Sequence, residues 1–93
     1  MEYTKNTVDN LFYKKHIILT SGSNADNLTD DAYYYIDGNT PTNVYGLNGV
    51  LLQFKSKNFL KLQLAFNWNT GKIAGRYCNF NSEWSSWKEI HQL

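Results

Sequence analysis

The sequence predicts an all-β fold, a small antiparallel β-sandwich or twisted sheet with a short helical or extended N-terminal neck. Three observations carry that expectation. Residues 60–68 read LKLQLAFNW, with Leu60, Leu62, Leu64, Phe66 and Trp68 on one face and Lys61, Gln63, Ala65 and Asn67 on the other. A period of two is the mark of a strand with one buried and one wet face, so the leucine face is the expected core face. Asn69, Thr70 and Gly71 then form a turn, Gly71 standing where a positive φ is easiest, and residues 72–79 read as the returning strand. The third observation is the aromatic load, three Trp, seven Tyr and five Phe in 93 residues. A domain this short buries a limited core, and each ring can add on the order of 150–250 Å² to it.

In chain order, residues 1–15 are polar, with Val8, Leu11 and Phe12 at helical spacing. They read as a leader or as a neck that packs against copies of itself, and residues 16–93 as one β-rich domain. His16 to Thr20 is a short strand. Residues 25–31 form an ordered loop whose Asn24, Asp26, Asn27, Thr29 and Asp30 satisfy nearby backbone around Leu28. Ala32 to Ile36 is a strand whose three tyrosines must point to alternate faces; if Tyr34 faces inward, Tyr33 and Tyr35 face solvent or a partner. Residues 37–43 hold the sole proline, Pro41, and read as loop. Residues 50–54 are an apolar strand, 55–58 turn it back, and Trp84 to Ile90 close the domain as a last strand.

A family likeness runs through this order. A segment Asn24-Ala25-Asp26-Asn27-Leu28-Thr29-Asp30-Asp31-Ala32-Tyr33-Tyr34-Tyr35-Ile36 is followed by Gly49-Val50-Leu51-Leu52-Gln53-Phe54. Then come Gly71-Lys72-Ile73, the pair Arg76-Tyr77, Asn79, and the closing Trp84-Ser85-Ser86-Trp87-Lys88-Glu89-Ile90. The set resembles the pyocin-knob type domains near the C-terminal ends of phage tail fibres and receptor-binding proteins, over residues 17–90. Ala32 stands where that family usually has glycine, and residues 78–83 are less glycine-rich than its usual turn. The resemblance implies a virion location at the phage tail, outside the host cell, and a homotrimer. It also implies a host cell-surface glycan as ligand and other tail or baseplate proteins as neighbours.

Composition narrows the alternatives. A net charge of +1, with Lys and Arg not interleaved with aromatics, argues against nucleic acid. No apolar run approaches the ~20 residues of a membrane span, and the first residues lack the basic start and apolar core of a secretion signal. One cysteine leaves no internal disulfide framework. Cys78 follows Tyr77 in a strand-like run with no adjacent histidine, so it reads as a small, partly buried hydrophobe and not a nucleophile. His16 and His91 have no partner ligands at metal spacing. Asp26, Asp30 and Asp31 read as turn-stabilising side chains, lacking the donor pattern of a calcium loop and the facing pair of a glycosidase. No enzyme and no cofactor is expected.

Aromatics and the twelve Asn remain. Sugar faces stack on rings, and Asn, Arg and backbone groups bond hydroxyls at the rim. The expected ligand-binding residues are Tyr45, Arg76, Asn79 and Trp84, at the surface, in or beside the connecting segments 37–45 and 78–84. Trp68 is expected in the core, and Trp87 as a folding residue. The alternative is a structural fibre-tip or connector module with no glycan site. A cell-wall hydrolase would require a catalytic domain outside these residues.

Overall fold

The computed structural model describes residues 16–37, 41–46, 48–56 and 60–93; the expected neck or leader at 1–15 lies outside them. Six strands form one sheet in chain order: β1 (His16–Leu19), β2 (Ala32–Asp37), β3 (Asn48–Lys55), β4 (Lys61–Asn67), β5 (Lys72–Cys78) and β6 (Lys88–Gln92). The domain is all-β, as its alternation predicts, and its strands lie in a single sheet. The sheet is mixed and not purely antiparallel, because β1 runs parallel to β2 while the remaining pairs are antiparallel. A parallel pair needs a crossover. Residues 20–31 supply it as irregular chain with one 3₁₀ turn, Ala25–Asn27, whose N-cap Asn24 accepts a bond from the Asp26 amide at 2.9 Å.

The β4–β5 hairpin forms at the expected turn, with Gly71 at φ 76°. Gly49 on β3 has a different requirement, since a Cβ there would lie 2.2 Å from the Phe66 carbonyl oxygen of β4. The last strand begins later than expected. Trp84 makes only an isolated bridge to Cys78, and pairing with β5 starts at Lys88. Residues 79–87 instead lie back over one face of the sheet.

That face is the opposite of the expected one. Gln63 is wholly buried and Ala65 nearly so, while Leu62 is 43% and Trp68 45% exposed. The buried side of β4 is therefore its Lys61, Gln63, Ala65 face, and Trp68 is not a core residue. Register carries this side across the sheet through Ile36 and Tyr34 on β2, Leu51 and Gln53 on β3, and Ala74, Arg76 and Cys78 on β5. Of the three alternating tyrosines on β2, Tyr34 is the inward one.

The physical reason is the nature of the covering layer. A second sheet would satisfy its own backbone and ask only for apolar contact. Irregular chain carries carbonyls that need donors once buried, and this sheet face provides them. Gln63 Nε2 donates to Ala25 O at 2.7 Å, Gln53 Nε2 to Leu28 O at 2.8 Å, and Tyr34 Oη to Asp30 O at 2.8 Å. Lys61 Nζ, expected in solvent, donates to the same Leu28 carbonyl at 3.0 Å. The apolar core is a cluster at the β1–β3 end, Leu19, Ala25, Tyr34, Ile36 and Leu51, with Leu28 and Trp87 packed on it. The leucine and phenylalanine side forms the other, open face.

Candidate ligand-binding site

Three irregular segments converge over the β3–β5 part of the covered face: 24–28 of the crossover, 42–45, and 79–87. Backbone bonds tie the first two, Ala25 N to Thr42 O at 2.9 Å and Thr42 N to Ser23 O at 2.9 Å. Asn43, at φ 61°, donates from its amide to Asn24 Oδ1 and Asp26 Oδ2 at 3.0 and 3.1 Å. The third segment joins through Trp87, whose indole N–H donates to Asn43 O at 3.0 Å.

Arg76 lies at the centre. It is 6% exposed and pairs with Asp26 across 2.8 Å, while its Nε donates to Gln63 Oε1 at 2.8 Å. Gln63 in turn donates to Gln53 Oε1 at 2.7 Å, so one hydrogen-bonded chain runs from β3 through β4 to β5 and into the crossover. The guanidinium sits 3.9 Å from the Trp84 ring centroid and 5.0 Å from that of Trp87. A spacing of three residues sets the two indoles against one cation, a contact that gains when water is excluded. Burial pushes the Arg76 pKa down and the Asp26 carboxylate opposes the shift.

The four expected site residues therefore divide. Trp84 and Arg76 are in contact, and Tyr45 reaches them through Trp87, its ring 5.9 Å away. Asn79 belongs to the same loop but uses its side chain internally, accepting from the Asn81 and Glu83 amides at 2.9 and 3.1 Å. Arg76 is not the surface residue expected. It is buried because an arginine on the amide side of β5 faces the crossover, where Asp26 and the two indoles replace water. Tyr45 donates to Glu89, which also pairs with Lys72 at 3.2 Å. The bond to Glu89 raises the Tyr45 pKa, and the bonds from Tyr45 and then Lys72 lower that of Glu89.

Beside this cluster is a cavity of about 340 Å³ lined by Asp26, Asn27, Lys61, Cys78, Ser82 and Trp84. It presents an indole, an ammonium, a carboxylate, an amide and a hydroxyl. Sequence reasoning found Trp84 but missed Asn27, Lys61 and Ser82. Lys61 looked like a solvated strand residue, and Ser82 is placed by a turn with φ 60° that composition does not announce. Cys78 is buried, more fully than expected. Among the described residues, no group of three or more His, Cys, Asp or Glu is placed to hold a metal ion. No protein-family model matches the chain, and neither a curated protein nor a solved structure matches it.

Proposed function

We propose that this domain is a carbohydrate-binding tip module that adheres to a host cell-surface polysaccharide through the cavity beside Trp84. The observation that carries the reading is that cavity's wall: one indole with Asn27, Ser82, Lys61 and Asp26 around it. A pyranose ring offers apolar C–H faces and a rim of hydroxyls, and this set supplies a stacking surface with donors and acceptors. Arg76 and Tyr45 then serve as supports, Arg76 holding Trp84 from beneath and Tyr45 bracing Trp87, and Asn79 shapes the loop that carries Ser82. The tail-fibre setting, the virion location, the threefold assembly and the tail or baseplate neighbours rest on the order of the sequence motifs. Binding through several copies would convert a weak single-site affinity into firm adhesion. The reading includes no catalysis.

The test is titration of the protein with a panel of bacterial surface polysaccharides, with adsorption to host cells in parallel. Asn27 is exposed, and Asn27→Ala should bind 3–10-fold less tightly, about the worth of one hydrogen bond, at an unchanged melting temperature. Trp84→Ala should bind at least tenfold less tightly and melt somewhat lower, since its ring also covers Arg76. Wild-type binding that neither variant weakens would reject the cavity as the site. The open apolar face favours a second reading, a structural fibre-tip or connector module, in which no polysaccharide binds at all.

A further inference from the structure

The cavity beside Trp84 is lined by two ionised side chains of opposite sign, Asp26 and Lys61, and the chain neutralises only one of them. Asp26 is held on both oxygens: Oδ1 lies 2.8 Å from Arg76 Nη1, and Oδ2 accepts from the Asn43 amide at 3.1 Å. A guanidinium stays charged in a protein, so this pairing cancels the carboxylate. Lys61 has no such counterpart. Its Nζ donates to Leu28 O at 3.0 Å, a neutral acceptor, and no carboxylate among the described residues pairs with it. Two cations therefore meet one anion here. Lys61 is half-buried, where water compensates a charge less well than at an open surface. An ammonium has three N–H donors, and Leu28 O takes one. That tether also fixes the head group of a flexible side chain before a ligand arrives, which lowers the ordering cost of binding.

We infer that the ligand of this cavity is an acidic saccharide, whose anionic group, a carboxylate or a phosphodiester, is taken by Lys61 while its ring lies on Trp84. The acidic requirement rests on the polysaccharide reading above and narrows it. The wall meets each part of such a ligand with a different chemistry. Trp84 offers the apolar ring face a stacking surface, Asn27 and Ser82 offer hydroxyls neutral partners, and Lys61 offers the anion a charge-assisted bond. A bond of that kind is roughly twice as strong as a neutral one. A neutral sugar leaves the surplus charge unanswered. An amino sugar adds a third cation beside a carboxylate that Arg76 already holds.

Calorimetric titration of the full chain with two matched pairs of probes tests it: oligogalacturonate against its methyl ester, and phosphodiester-linked oligomannose against plain oligomannose. Each pair keeps the ring and removes the charge, so the pair that shows a preference assigns the anion as carboxylate or phosphodiester. At ~0.1 M salt the charged member should bind about tenfold more tightly. The margin should shrink at ~1 M salt, where the screening length falls to about 3 Å. Lys61→Met should erase the margin and Lys61→Arg should keep most of it. The methionine variant should fold, with its β-sheet circular dichroism retained, because Leu28 O keeps its 2.8 Å bond from Gln53 Nε2. A margin that survives in folded Lys61→Met overturns the acidic requirement. So does a wild type that binds both members of a pair alike, and in that case the polysaccharide reading stands. A wild type that binds no probe overturns the requirement as well. Acidic binding that Lys61→Met abolishes and Trp84→Ala leaves intact would uphold the anion seat and remove the indole as the sugar platform.

Discussion

Gln63 shows how much one side chain decides. Its amide donates to Ala25 O and Gln53 Oε1 and accepts from Arg76 Nε, with no surface exposed. Replacement by leucine keeps the volume and raises hydrophobicity, yet it leaves a carbonyl, an amide oxygen and a guanidinium N–H without a partner in a buried place. Each such loss costs about 1–3 kcal/mol. Set against the gain from burying leucine, these losses should leave Gln63→Leu destabilised by about 2–6 kcal/mol, read from urea unfolding. A neutral or stabilising result would show that water reaches these groups and that the face is less closed than its packing implies. The same residue gives the cluster its rigidity, since Arg76 holds Trp84 only while Gln63 and Asp26 hold Arg76.

At the scale of elements, the domain depends on how its irregular segments are fastened to the strands. Tyr45 and Lys72 meet on Glu89, joining the 42–45 segment to β5 and β6. The Glu89 pKa is lowered from its ordinary 4.5, first by the Tyr45 bond. Its contribution to stability is thus present above the unfolded value and lost as pH falls through the lower folded one. The Tyr45 pKa is raised from 10.0, so its own contribution is present below that value and lost as pH rises through the folded one. The melting temperature of wild type should exceed that of Glu89→Gln at neutral pH, and the gap should close on acidification below about pH 4.5. A gap that stays constant into acid would show that the carboxylate charge is not what fastens the segment. Gly49→Ala tests β3 directly. With the Phe66 carbonyl 2.2 Å from any Cβ, the strands must move apart, at a cost of about 2–3 kcal/mol.

At the scale of the whole domain, the described residues form one sheet with two unlike faces, one closed by irregular chain through polar side chains and one apolar and exposed. On the function proposed above, the closed side would carry the ligand. It also bears on chemistry, because the buried Cys78 lines the cavity with no histidine among the lining residues. Incubation with peptidoglycan or capsular polysaccharide should release no reducing ends. Cys78→Ala should fold and lose only about 1 kcal/mol of stability. Turnover abolished by that change would replace the adhesion reading with an enzymatic one.

Local periodicity was enough to determine the β class, the β4–β5 hairpin with its turn at Gly71, the alternation of the three tyrosines on β2 and the self-satisfying Asn24 loop. Each depends on neighbours close in sequence or on the alternation of a pleated strand, and both are written locally. Alternation also separated the two faces of β4 correctly, but it could not say which one is covered. That choice belonged to the tertiary structure. It turned on what lies over the sheet: an irregular crossover that needs donors, and so selects Gln53, Lys61 and Gln63 over Leu62 and Phe66. The burial of Arg76, the shared use of Trp84 and Trp87, and the cavity with Asn27 and Ser82 follow from the same docking. Segments distant in sequence create them, and no single segment carries the pattern.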